Sequence, residues 1–264
     1  MFRICKGLTC ALPLLVGACV TETMPAPAPT WETVFDGETL TGWTPKITGQ
    51  SVGEDSAKVF HAENGELIVS YDGYDAFGGA FGHLFYAEDL ADYRLRFDYQ
   101  FRGEQKDGGP GWAFMNSGVM VHAQAPDTMG VDQAFPISVE AQLLGTSDLT
   151  PGRTTANICT PGTHIVIAEE VITQHCINSE TLAQPAETWV RFEIEVRNSA
   201  LIRLQIDGED AFALTQPQFD TADRDVERLE LSGPVGNGYF ALQAESHPVA
   251  FRNIQLMRLD ATTP

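Results

Sequence analysis

Apolar and polar residues alternate along much of this chain, and the period is two. In RLRFDYQF (94–101), Leu95, Phe97, Tyr99 and Phe101 fall on one side, with Arg94, Arg96, Asp98 and Gln100 on the other. VRFEIEV (190–196) repeats the pattern, with Val190, Phe192, Ile194 and Val196 as its apolar side. LIRLQID (201–207) follows after an Asn198–Ser199 turn and is closed by Gly208. Many short runs of this kind, separated by Gly, Pro, Asn and Asp, predict antiparallel strands that each bury one face. Helical spacing is scarce; residues 222–231 suit a short helix or a loop. The expected fold is all-β, a two-sheet antiparallel sandwich. No internal repeat appears, and no phosphate-binding or nucleophile-elbow motif stands in a supporting context.

Three strands carry polar faces of a different kind. In ISVEAQLL (137–144), Ile137, Val139, Ala141 and Leu143 oppose Ser138, Glu140 and Gln142. In NSGVMVHAQ (116–124), Val119, Val121 and Ala123 oppose Gly118, Met120, His122 and Gln124. In YFALQAESH (239–247), Phe240, Leu242 and Ala244 oppose Tyr239, Gln243, Glu245 and His247. These assignments follow from the alternation of side chains along a strand. A plain solvent face in this chain is Arg191, Glu193, Glu195. The three strands offer Glu, Gln, His, Ser and Met instead, whose amide and carboxylate groups form paired hydrogen bonds with vicinal hydroxyls. Trp112, Phe114 and Tyr239 are aromatic rings suited to stacking on a sugar. The plainer alternative is a set of ordinary solvated faces.

The N-terminus changes the picture of where the chain works. Arg3 and Lys6 precede a largely apolar stretch from Leu8 to Val16, and Val16, Gly17 and Ala18 lead directly into Cys19. This is the shape of a signal peptide (1–18), too short to span a bilayer, and its end resembles a bacterial lipobox with Cys19 as the lipidated residue. Residues 19–30, rich in Pro and Ala, read as an extended tether, leaving 31–264 as one folded domain. The expected location is membrane-anchored, facing the periplasm or the exterior. Cys5 and Cys10 leave with the signal, so Cys159 and Cys176 remain as a pair in an oxidising compartment. A disulfide is the natural reading and two buried thiols the alternative. The chain has 16 basic and 36 acidic residues, a net charge of −20. Loss of the signal removes Arg3 and Lys6 and no acid. Such a surface repels nucleic acid, which excludes that class of partner.

Five blocks, in order, resemble the DUF1080 or 3-keto-disaccharide hydrolase family: FDGETLTGW (35–43), NSGVMVHAQ, VEAQLLG (139–145), WVRFEIEV (189–196) and LQAESHPVAFRNIQL (242–256). The resemblance covers about residues 31–259. It implies a jelly roll of the concanavalin A-like lectin/glucanase type with a sugar site on one concave sheet. NICTPGTHIV (157–166) and HCINS (175–179) look like a variant within the family. His122 stands where many members carry Arg, so no Arg-based contact is carried over.

The family name implies cleavage of glycosides oxidised at C3. A C3 ketone acidifies the C2 proton; its removal gives an enolate that expels the C1 substituent, and water then adds. Such a site needs a base, an enolate donor and an acid for the leaving oxygen. Glu140, His122 and Glu245 are the titratable candidates, with Glu140 or His122 as base. Asn116, Gln142, Gln124, Gln243, Trp112, His247 and Arg252 are expected substrate contacts. No cofactor is predicted, and a divalent cation stays open because no ligand cluster stands out. A non-catalytic carbohydrate-binding protein, or a glycosidase using Glu140 and Glu245 as its carboxylate pair, are the competing functions.

The N-terminal reading is checked by metabolic labelling with a fatty-acid analogue. The wild-type chain is expected to take up label and Cys19→Ser to lose it; equal labelling of the two would overturn lipidation at Cys19.

Overall fold

The computed structural model describes residues 29–260. The signal segment, Cys19 and most of the tether therefore lie outside the described residues. Within them the chain forms two stacked, predominantly antiparallel sheets, one of ten strands and one of eight. The eight-stranded sheet runs Cys176–Ile177, Asn157–Cys159, Val139–Thr146, Asn116–Ala123, Tyr239–Ala244, Gly82–Tyr86, Trp43–Ile47, with Gln184–Pro185 pairing in parallel beside Val139–Thr146. The centre of the larger sheet is Asp92–Phe101, flanked by Val190–Arg197 and Val249–Arg258.

The alternation read from the sequence decides what lies between the sheets. Leu95, Phe97, Tyr99, Phe192, Ile194 and Phe251 from one sheet share a core with Val119, Val139, Ala141, Leu143, Phe240 and Leu242 from the other. Phe97 is central: its ring lies 5.1 Å from Phe192, its cross-strand partner, and 5.4 Å from Phe251. Full burial of such side chains contributes roughly 1.5–3 kcal/mol each. Residues 222–231 contain one short helix, Arg224–Arg228, capped by the Asp223 carboxylate on the amides of Asp225 and Val226. Asp is a favoured cap because it meets amides that a helix start leaves unpaired.

The outer face of the ten-stranded sheet is a charge ladder. Arg94 pairs with Glu193, and Arg191 with Asp98. This face corrects one expectation. Arg252 sits here, 3.8 Å over the Trp189 ring with Nε 3.5 Å from Asp98 Oδ2, an oxygen that also accepts from Asn253 Nδ2 at 2.6 Å. It belongs to a structural cluster on the sheet opposite the polar strands and makes no part of their face.

A bulge corrects a second. Tyr239 pairs with Ala123 but Ala241 with Met120, so one extra residue is accommodated at His122, whose φ is 50°. A bulge of this kind shifts the alternation by one. Ala123, expected in the core, instead joins Phe85, Met120, Met129 and Ala241 in a small apolar cluster on the outer face. The approach is so close that a Cβ on Gly238 would lie 2.5 Å from the His122 carbonyl carbon, so only glycine fits there.

Cys159 and Cys176 face each other across the edge strands, Cα atoms 4.1 Å apart, and are disulfide-bonded. Replacing both by Ala is expected to lower the free energy of unfolding by about 3 kcal/mol, as loop-closure entropy predicts for a loop of this size. Denaturant titration of the double variant checks it; an unchanged midpoint would show that the pairing network of the edge suffices alone.

Candidate active site

The three polar-faced strands are neighbours, in the order Val139–Thr146, Asn116–Ala123, Tyr239–Ala244. Their apolar sides enter the core, so Glu140, Gln142, Gly118, Met120 and Gln243 turn away from it. Cross-strand register arranges these residues in rows. Glu140 lies between Met120 and Cys159, and Gln142 between Gly118 and Asn157. Gln243 pairs with His83, and His83 in turn with Lys46. Asn116 lies opposite Leu144.

Gly118 matters because it leaves a gap in this surface. A Cβ there would lie 3.0 Å from Glu140 Oε1 and 3.1 Å from Gln243 Oε1. Glu140 thus leans over the bare backbone of the central strand to meet the Gln243 amide from the far side. Asn157 Nδ2 donates to Gln142 Oε1 at 3.1 Å and fixes the second amide.

Above this floor is a cavity of about 340 Å³ whose lining includes Glu140, Gln142, Asn116 and Glu245. Trp112 and Phe135 form an aromatic wall, and the Cys159–Cys176 disulfide, Pro161 and His175 complete the enclosure. Trp112 is 55% exposed, lies parallel to Phe81 at 5.7 Å, and offers its ring as a stacking surface. Phe135, Pro161 and His175 also border a larger groove of about 460 Å³, edged by Asp132, Asp220, Asp223 and Asp225.

Burial dominates the electrostatics. It pushes the Glu140 carboxyl up to about 8, opposed only by the neighbouring Gln243 amide. Glu245 is also raised well above the ordinary range, by burial first and the charge of Glu140 second, with Arg153 acting against both. Two buried carboxyls that repel each other do not both ionise at neutral pH, so the pair retains a proton. Arg153 is itself committed: it donates to the carbonyl oxygens of Phe114, Gly145 (3.2 Å) and Trp112 (3.3 Å), which positions the segment bearing Trp112. Among the described residues, no group of three His, Cys, Asp or Glu side chains is placed to hold a metal ion.

Glu140, Gln142, Asn116, Trp112 and Glu245 are therefore brought together, with Gln243 beside Glu140. Four expected members are not: Arg252, on the opposite sheet, and His122, Gln124 and His247. The bulge carries His122 away: its Nε2 lies 2.9 Å from the Asn198 carbonyl oxygen of the other sheet, and it borders a separate depression with Gln124 and Tyr239. It is not placed to act as base beside Glu140. Gln124 clamps the 125–136 loop instead, its Oε1 accepting from Ile137 N at 2.7 Å and Gln133 Nε2 at 2.8 Å. His247 is fully buried behind the cavity, its ring 5.4 Å from Phe114 and 5.7 Å from Phe101. Burial and the nearby Arg153 hold it neutral, down at about 4.

Sequence reasoning missed Phe135, His175 and Arg153, which come from loops and edges, and His83. The last was legible: in GHLFY (82–86), Gly82 and Leu84 turn to the core, leaving His83 and Phe85 on the polar side.

A two-sheet antiparallel sandwich with an aromatic-walled, carboxyl-floored cavity on one sheet is a jelly roll in architecture. The chain belongs to the 3-keto-alpha-glucoside-1,2-lyase-like domain family, which it matches over residues 30–257. A search of curated proteins finds no match. In fold it is similar to a candidate glycosyl hydrolase from Parabacteroides distasonis, at 17% identity and a TM-score of 0.50, over 87% of this chain and 94% of that one. A second from the same organism aligns at 14% identity and TM-score 0.50, over 87% and 100%. The exoplasmic/lumenal domain of VIP36, in its Ca²⁺- and Man3GlcNAc-bound form, aligns at 10% identity and TM-score 0.51, over 87% and 88%.

The raised carboxyls have a measurable consequence. A folded-state pKa above the unfolded one leaves stability intact below about 4.3, the unfolded value, and removes it as pH climbs toward the folded value. Glu140→Gln should therefore raise the melting temperature by roughly 5 °C near pH 8, with the gain shrinking toward pH 5. A gain that does not vary with pH would contradict a buried, protonated Glu140.

Proposed function

We propose that this protein cleaves glycosides that carry a ketone at C3, eliminating across C1–C2 and then adding water. The observation that carries the reading is the pair of buried carboxyls, Glu140 and Glu245, lining one enclosed, aromatic-walled cavity. The ionised member, for which Glu140 is our choice, takes the C2 proton, and the C2–H electrons form the enolate. That enolate collapses to a C1–C2 double bond as the C1–O bond breaks. Glu245 keeps its proton and gives it to the departing oxygen. Water then adds at C1 and a proton returns to C2, so the sum is hydrolysis. A carboxylate with a raised pKa is a stronger base than an ordinary one, which suits removal of a carbon-bound proton. Asn116 and Gln142 are placed to orient the sugar or donate to the enolate oxygen, and Trp112 to stack on a ring face. The larger groove beyond Phe135 leaves room for the departing group.

The same carboxyl pair invites comparison with an ordinary glycosidase. The two readings differ in substrate: a conventional glycosidase also cleaves the unoxidised sugar.

Incubation with a 3-keto-disaccharide and with its unoxidised parent, products followed by NMR, tests the proposal. Cleavage is expected only of the keto sugar, with solvent deuterium appearing at C2. Glu140→Gln should lower kcat/KM by roughly a hundredfold or more. Cleavage of the parent sugar would favour the conventional glycosidase, and binding of either sugar without turnover would favour a lectin-like role.

A further inference from the structure

Two adjacent polar side chains next to the cavity, His83 and Gln243, are completely buried and poorly met. Neither ring nitrogen of His83 has a partner, as is also true of His247 behind the cavity, and the Gln243 amide meets only the Glu140 carboxyl. Both residues have zero exposure and they are cross-strand partners. Leaving a buried polar group unmet costs roughly 1–3 kcal/mol, and native proteins keep few of them. Their other neighbours do not relieve them. Lys46, on the far side of His83, spends its ammonium on the carbonyl oxygens of Ile47 and Val131, each at 2.9 Å. Ser117 Oγ bonds the Gln243 backbone and not its amide. The other groups against His83 are rings, Phe85 at 6.3 Å and Phe135 at 5.9 Å between centroids.

Phe135 also lines the 340 Å³ cavity, so a single ring is both the cavity's wall and the cover of His83. The backbone that carries it is pinned. Val131 O accepts from Gly49 N and Lys46 Nζ, both at 2.9 Å, and the Phe135 carbonyl accepts from Gln133 Nε2 at 2.9 Å. Rotation of the half-buried Phe135 side chain is therefore the smallest motion that would join the two polar groups to the cavity.

We propose that His83 and Gln243 form a further polar subsite of this cavity, covered by the Phe135 ring in this structure, which binds the adjacent ketone and hydroxyl of the sugar once that ring turns aside. The proposal rests on the carbohydrate reading above and adds to it the residues that recognise the oxidised edge. A neutral imidazole offers one donor and one acceptor, and a carboxamide offers two donors and one acceptor. Together they supply donors to a carbonyl oxygen and acceptors to a neighbouring hydroxyl, a pattern that an aliphatic ligand would leave unmet. Burial and the nearby Lys46 keep His83 neutral, as this pattern requires.

The test uses the slow variant Glu140→Gln as a binding-competent background and a 3-keto-disaccharide as ligand, with affinity from calorimetry and stability from thermal melting. Adding His83→Leu is expected to weaken binding at least tenfold while the melting temperature holds or rises, because an unmet buried imidazole is being removed. Unchanged affinity, or a melting temperature that falls together with affinity, would overturn the proposal and assign His83 a structural role. If the background variant binds neither the keto sugar nor its parent, the carbohydrate reading itself has failed. A second arm does not depend on the folding of the leucine variant. In Phe135→Ala, His83 should become modifiable by diethyl pyrocarbonate, and the keto sugar should protect it, as read by peptide mass spectrometry. Modification without protection would equally overturn the proposal.

Discussion

The costliest arrangement in this molecule is Glu140 next to Glu245, two carboxyls out of water and within electrostatic reach of each other. Desolvation and mutual repulsion both favour the protonated form. Most of what surrounds them answers that cost. Gly118 removes the side chain that would keep Glu140 from the Gln243 amide. Arg153 lends positive charge to Glu245 while its own hydrogen bonds go to backbone carbonyls. The disulfide, whose Cys159 is the register partner of Glu140, replaces what would be an open sheet edge with a nonpolar wall. The core beneath, from Val139, Ala141 and Leu143 on the same strand, supplies apolar burial that holds the strand in place.

The fold was legible because a sandwich needs little more than its alternation. Phe97, Phe192 and Val139 point where a period of two sends them, and the two sheets follow. The site was legible to the same extent and for the same reason. Glu140, Gln142, Gln243 and Glu245 share a face because no irregularity interrupts their strands between the core positions that fix the register. His122 departs from the expectation because of one inserted residue. A bulge is a matter of pairing between strands distant in sequence, here Tyr239–Ala244 against Asn116–Ala123, and no local pattern around His122 announces it. Gly238 is its nearest sequence trace, and its meaning emerges only once the His122 backbone is seen against it. Arg252 departs for another reason: a charged residue in a strand has two faces to choose from, and on this one a tryptophan and Asp98 were waiting.

The two histidines on the neighbouring strands show how burial separates structural from functional polar groups. His122 is nearly as buried as His83, yet it bonds a carbonyl across the sandwich, and its role ends in joining the two sheets. His83 has no such bond. A chain shaped only for stability would place leucine or methionine there, as it does with Met120 and Phe85 one row away. Unmet polar groups beside a cavity persist where something other than folding keeps them. The same logic reaches Glu245, whose Oε2 is also without a partner. Stability concentrates on the inner face of this sheet and is given up on the outer one, and the boundary between them is the plane of a single layer of strands. That division lets a scaffold with a continuous apolar core carry, one side chain away, carboxyls held protonated where water at neutral pH would ionise them.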